Sequence, residues 1–406
     1  MLAAEPHGKH TARLEAAGEV FAAFLKLGLT SFGGPIAHLG YYRRELIERR
    51  HWVDEAHYAQ LLALCQFLPG PASSQLGFAL GLIRAGWLGA LAAFVAFTAP
   101  SALLLFAFAK LLPLLEHPLG LAAIHGLKLV AVAVVAHGVL GMVRNLTPDT
   151  PRRVIAAVAA AIVVASDTAA VQLLVVGGGA LLGLWFCRDI AATPGAAFTL
   201  RHSRRAGLLL LAIFAVLLAL ALAPVADKSP LSSVAAAFYR AGALVFGGGH
   251  VVLPLLEQAV VAPGWLDTNE FLAGYGAAQA IPGPLFSLAA FLGARLEGAS
   301  GGVIGAGLSL ISIFLPGLLL VAGALPFWQA IASRRGAASS LAGVNAAVVG
   351  LLAAALYDPV WTSAILGPRD FAVALIGYAL LAATRVSSLV VVAWCVFATM
   401  LLAGLT

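Results

Sequence analysis

The 406-residue chain is 61% hydrophobic and 10% charged, with a mean hydropathy of +0.97. Soluble domains carry about 25% charged residues, so a water-soluble globular protein is excluded and a polytopic membrane protein is indicated. The net charge of +6 does not point to nucleic acid, because the Lys and Arg residues stand between apolar runs, where they orient the chain in a bilayer. Cys65, Cys187 and Cys395 are far apart, so neither a disulfide framework nor a zinc site is expected. The sequence has no P-loop, HExxH pattern or clustered acid–base pair. The expectation is a protein that is not an enzyme and uses no cofactor or metal.

In chain order, residues 1–18 form a polar tail without the apolar core and cleavage site of a signal peptide. Residues 19–47 and 57–83 are apolar segments broken near their middles, at Phe32-Gly33-Gly34-Pro35 and at Pro69-Gly70-Pro71. Apolar runs follow near 86–112, 121–143 and 152–187, the last divided at Ser166-Asp167. Residues 188–232 hold the basic stretch Arg201–Arg205 and the run Leu208–Ala223, which is about the minimum length for a span.

From residue 233 the order begins again. Phe24-x-Lys26-x-Gly28 returns as Phe238-x-Arg240-x-Gly242, and Phe32-Gly33-Gly34-Pro35 as Phe246-Gly247-Gly248-Gly249. Trp52-x-Asp54 returns as Trp265-x-Asp267, and Gln66-x-x-Pro69-Gly70-Pro71 as Gln279-x-x-Pro282-Gly283-Pro284. Pro100 matches Pro316, Pro151-Arg152 matches Pro368-Arg369, and the last run again divides at Thr384-Arg385. Order and spacing hold throughout, which marks a duplication. The single apolar run between copies would insert the second upside down, a common plan of transporters. Charge agrees with this. The connector Tyr42–Glu55 carries Arg43, Arg44, Arg49 and Arg50, whereas Glu257–Glu270 has no Lys or Arg, so the two are expected on opposite faces. The expected fold is an all-α polytopic integral membrane protein of two inverted-topology repeats, 19–187 and 233–405. Its helices are discontinuous or re-entrant, with about 10–13 membrane segments.

Proline removes an amide donor and glycine permits unusual backbone angles. Backbone freed at mid-bilayer is tolerated only inside protein or against a polar cavity. Four matched breaks therefore point to one shared site. Helix N-termini exposed there favour an anion, and the symmetry-related cations Lys26 and Arg240 suit a small dianion such as a tetrahedral oxyanion. Both are also placed to snorkel. The expected substrate site comprises Lys26, Ser31, Phe32, Gly33, Gly34, Pro35, Gln66, Pro69, Gly70 and Pro71 of the first repeat. From the second it takes Arg240, Phe246, Gly247, Gly248, Gly249, Gln279, Pro282, Gly283 and Pro284. For proton coupling the candidates are His250, His38 and Glu257.

These motifs, and Phe24-x-x-Leu27-Gly28-x-x-Ser31-Phe32-Gly33-Gly34-Pro35 above all, resemble the chromate ion transporter family in its long two-domain form. The resemblance covers nearly the whole chain. It implies a multi-pass protein of the cytoplasmic (inner) membrane that exports chromate on the proton motive force and so confers chromate resistance, with sulfate as the competitor. The second copy departs from the motif, with Gly249 in place of Pro35 and Val245 in place of Ser31, which leaves open which half supplies more of the site. A homodimer is compatible with the plan. An anion channel and a sulfate or oxyanion importer share the same features and stay open as alternatives.

Overall fold

The computed structural model describes residues 7–32, 34–115, 117–166, 169–188, 203–223, 230–246, 251–328, 330, 334–384 and 386–404, which form helices and turns and no strands. Gly33, Asp167, Gly247, Gly248, Gly249, His250 and Arg385 lie outside the described residues.

The first copy contains α1 (His7–Thr30), α2 (Gly34–Tyr42), a π-helical turn (Arg43–Arg49), α3 (Glu55–Phe67) and α4 (Ala72–Leu111). After these come α5 (Pro118–Leu146), α6 (Thr150–Val164) and α7 (Ala169–Phe186). A linking helix, α8 (Arg204–Leu222), leads to the second copy. That copy contains α9 (Pro230–Ala243), α10 (Val252–Val260), α11 (Thr268–Ala280), α12 (Leu288–Arg295) and α13 (Gly302–Ala324). It ends with α14 (Arg335–Ala355), α15 (Pro368–Ala383) and α16 (Ser388–Gly404).

The stretches 72–115, 118–146, 204–222, 302–327 and 336–364 are long and apolar enough to cross a membrane. The chain is an all-α, multi-pass membrane protein. α1 begins well before residue 19, because Ala12–Ala17 consists of strong helix formers.

Repeated motifs become repeated local structures. Asp54 caps α3 by accepting from the His57 amide, and Asp267 caps α11 by accepting from the Asn269 and Glu270 amides. A capping carboxylate satisfies amides that have no partner in the first turn. Pro151 and Pro368 open α6 and α15, where the missing N–H costs nothing. The expected breaks are present between α1 and α2, between α3 and α4, and between α11 and α12.

At the breaks the chain doubles back. Phe24 and Tyr42 meet edge to face at 5.4 Å, the Arg84 guanidinium lies 5.5 Å from the Trp52 ring centre, and Arg295 pairs with Glu270. The pairs α1 and α2, α3 and α4, and α11 and α12 are thus helical hairpins with a Gly/Pro break at the tip of each.

The later helices interlock the copies. α5 of the first packs on α15 and α16 of the second, and α14 of the second packs on α6 and α7 of the first. Glycine allows both crossings. A Cβ on Gly126 would lie 2.6 Å from Thr399 Oγ1 and 2.7 Å from Val396 Cα, and one on Gly343 would lie 2.0 Å from Gly179 O. Small residues let helices approach this closely in a bilayer. Gly126→Val and Gly343→Val are each expected to lower the melting temperature of the detergent-solubilised protein by about 3 °C or more through overpacking. Gly141→Val, with open space at its Cβ, should leave it unchanged. Scanning fluorimetry of the three variants checks this.

Candidate functional site

The hairpin tips meet, and they meet reciprocally. The Gly70 amide of the first copy donates to Val245 O of the second at 2.7 Å. The Gly283 amide of the second donates to Ser31 O of the first at 3.0 Å. Gly70 and Gly283 occupy equivalent places, as do Val245 and Ser31. Both glycines have positive φ, +125° and +108°, a region that excludes most side chains. Each Pro-Gly-Pro tip also rests on the proline-bearing span of the other copy. Gln75 Nε2 donates to Gly317 O and to Pro69 O, both at 3.0 Å, and Ser101 Oγ pairs with Ser287 Oγ at 2.7 Å.

His38 braces the first tip. It is buried, with Nε2 3.2 Å from Ser31 O and Nδ1 3.4 Å from Ser73 Oγ. A carbonyl only accepts, so this network puts the ring proton on Nε2 and leaves Nδ1 to accept from Ser73. Ser31 O therefore receives both His38 and Gly283.

Several polar atoms at the tips are buried without a partner: Ser31 Oγ, Ser74 Oγ, Gln75 Oε1 and Thr98 Oγ1. Three are hydroxyls, able to donate. Ser74 and Gln75 lie in the first turn of α4 and Thr98 lies one turn from Ser101. Buried donors left unpaired are costly in a bilayer, and an oxyanion would supply the acceptors.

The remaining expected residues are placed as follows. Gln279 is buried beside its tip, its carbonyl accepting from Ser388 Oγ at 3.0 Å, whereas Gln66 is exposed. Phe32 and Phe246 are half-buried, and Pro71 is buried. Gly34 begins α2 and Pro35 lies within it; Pro69 and Pro282 flank their tip glycines. Glu257 is half-buried in α10. Arg240 is exposed in the last turn of α9. Lys26 is half-exposed below the first tip, and its Nζ donates to Glu45 at 2.7 Å.

Glu45, absent from the sequence expectations, is the hub of the first hairpin's base. Its carboxylate takes Lys26, Arg50 at 2.9 Å and Arg49 at 3.2 Å, so three cations surround one anion. Arg50 and Arg84 also approach the Trp52 ring, at 5.3 and 5.5 Å. Trp52 and Arg84 line a cavity of about 690 Å³ at this end, with His51, Asp54 and His57. The corresponding cavity of the second copy, about 410 Å³, is lined by Trp265 and Glu297. The first copy's end is thus the basic one.

Burial works to raise the Glu45 carboxyl, but the hydrogen bonds from Lys26, Arg50 and Arg49 outweigh it and hold the group at about 2. A depressed carboxyl stabilises the fold above its unfolded value, 4.5, and that contribution disappears as pH falls toward 2. The melting-temperature gap between the native protein and Glu45→Gln should stay constant from about pH 8 to about pH 5 and shrink below pH 4.5. Thermal melts across this range check it.

The Chromate transporter family matches residues 18–184 and 232–401. A chromate transport protein of Pseudomonas aeruginosa is 30% identical over 356 residues, covering 84% of this chain and 80% of that protein. A probable chromate transport protein of Synechococcus elongatus is 32% identical over 338 residues, covering 82% of each. A chromate transport protein of Cupriavidus metallidurans is 27% identical over 358 residues, covering 86% of this chain and 83% of that protein. No solved structure matches. With a family match over both copies, the chain belongs to the chromate transporter family.

Proposed function

We propose that the protein is a secondary transporter that exports chromate across the cytoplasmic membrane on the proton motive force and so gives chromate resistance. Sulfate, of the same charge and shape, is the expected competitor. The observation that carries this reading is the meeting of tips from both copies around buried, unpartnered donors. Donors already oriented and dry bind a dianion without reorganisation. The names of the relatives supply chromate as the member of that class.

The reciprocal tip bonds support a pseudo-two-fold relation between the copies, since residue i meets j′ where j meets i′. Together with the basic connector of the first copy alone, they favour opposite insertion of the two halves. The first copy's hairpins then open to the cytoplasm. There Gln66 is exposed and the cations around Glu45 gather anions.

Coupling is assigned to His38. Protonating Nδ1 turns it from an acceptor of Ser73 into a donor, which rearranges the hydrogen bonds that brace the first tip. Saturable flux distinguishes this reading from an anion channel.

Everted vesicles bearing the protein should accumulate labelled chromate when energised and lose it on addition of an uncoupler. Sulfate should compete. Accumulation indifferent to the uncoupler would remove proton coupling, and downhill flux that does not saturate would favour the channel. Lys26→Ala and Arg240→Ala are each expected to lower chromate resistance with insertion intact. Normal resistance in both would leave these cations as interface anchors.

A further inference from the structure

α5 crosses the membrane as an apolar helix with a lysine buried in it. Lys128 is 8% exposed, between Leu127 and the fully buried Leu129 and Val130. A buried cation inside a span is costly and is by default a functional group whose partner has to be found.

The partners here are neutral. Lys128 Nζ donates to Asn269 Oδ1 at 2.9 Å and, weakly, to Ser363 O at 3.4 Å. Asp267 and Asp370 lie within electrostatic reach but are committed elsewhere. Asp267 caps α11. Asp370 takes His125 Nε2 at 2.9 Å and the Leu366 amide at 3.0 Å. Among the described residues Lys128 has no ion pair, and an ammonium has three N–H donors.

The equivalent position of the other copy carries no charge. The duplication puts Asn345 of α14 where Lys128 stands in α5, two residues after Gly343 as Lys128 stands two after Gly126. The helix crossings at these glycines correspond. The equivalent helix is thus built with a neutral residue, whose Oδ1 is buried and unpartnered.

The location ties the charge to the tips. Asn269 lies in the first turn of α11, the helix whose last turn carries Gln279, so Lys128 sits about 15 Å from the tip along that helix. Gly276 lets α11 lie against the α5 backbone, where a Cβ would meet Leu127 O at 2.0 Å.

We propose that Lys128 is a second anion station on the transport path. A tetrahedral dianion leaving the tips would displace Asn269 from the ammonium and take its place. This rests on the transport reading given above and adds a residue and a site to it.

The test is saturable uptake of labelled chromate into proteoliposomes by the full-length native protein and by Lys128→Asn, Lys128→Met and Lys128→Arg. Asn copies the other copy's residue and is expected to fold. Loss of a charged hydrogen bond to the substrate should raise KM about tenfold or more, with maximal flux preserved within about twofold. Arg should restore KM to near the native value. Unchanged KM in folded Lys128→Asn or Lys128→Met would overturn the proposal, as would an equal rise in Lys128→Arg. Failure of both neutral variants to fold would overturn it too, by making the lysine structural. Absence of chromate uptake by the native protein would instead overturn the transport reading itself.

Discussion

The structure depends on how it pairs the backbone that its own breaks set free. A proline or glycine break inside an apolar segment leaves amides and carbonyls with no helical partner, and lipid offers none. Here the loose ends of one copy are satisfied by those of the other. The Gly70 amide takes Val245 O, and the Gly283 amide takes Ser31 O. Each copy thus supplies an acceptor to a tip of the other. The same dependence recurs further out, where α5 packs on the closing hairpin of the second copy and α14 on that of the first. Duplication has produced one interlocked body.

That pairing leaves side chains free at the tips. Carbonyl and amide groups are used in holding the tips together, but the hydroxyls of Ser31, Ser74 and Thr98 are left over. Their positions follow from where the breaks fall. Ser31 ends the first hairpin's rising helix, Ser74 lies just after Pro71, and Thr98 lies just before the proline of the long span. On the proposed reading these hydroxyls serve the substrate, while backbone groups together with His38, Gln75, Ser101 and Ser287 hold the tips.

Much of this was legible in the sequence, and the reason is periodic recurrence. Repeated Gly, Pro and Asp at near-constant spacing marked the tips and the helix caps, and Gly70 and Gly283 have the positive φ that glycine accepts readily. What remained hidden needed three-dimensional adjacency. Glu45 lies in a run of charged residues, Arg43 to Arg50, where nothing distinguishes it from its neighbours until α2 folds back onto α1 and brings Lys26 to it. Lys128 carried a readable signal, a charge within the apolar run 121–143 whose counterpart is Asn345. Yet its neighbour Asn269 belongs to the other copy, and only the crossing of α5 and α11 joins them. Motifs reveal what repeats; the contact of Lys128 with Asn269 has no repeated counterpart in sequence, because Asn345 replaces the lysine.

The two copies also differ in a way that bears on direction. In the second copy α11 is buried from Phe271 through Gln279, held by α5, α16 and the Ser388 hydroxyl. In the first copy the equivalent helix α3 ends in an exposed Gln66 and packs chiefly on α4. The two halves of common design are therefore packed unequally, with α11 enclosed and α3 ending in an exposed residue. If a pseudo-two-fold axis relates them, an exchange of packing between α3 and α11 would open the other face. On the proposed topology the α3 side is the cytoplasmic, basic one. The contact between Lys128 and Asn269 also holds α11, so on the proposal above an anion that competes for the lysine would loosen that helix. Occupancy at the tips and release on the far side would then be linked through α11, with no need for a separate gate.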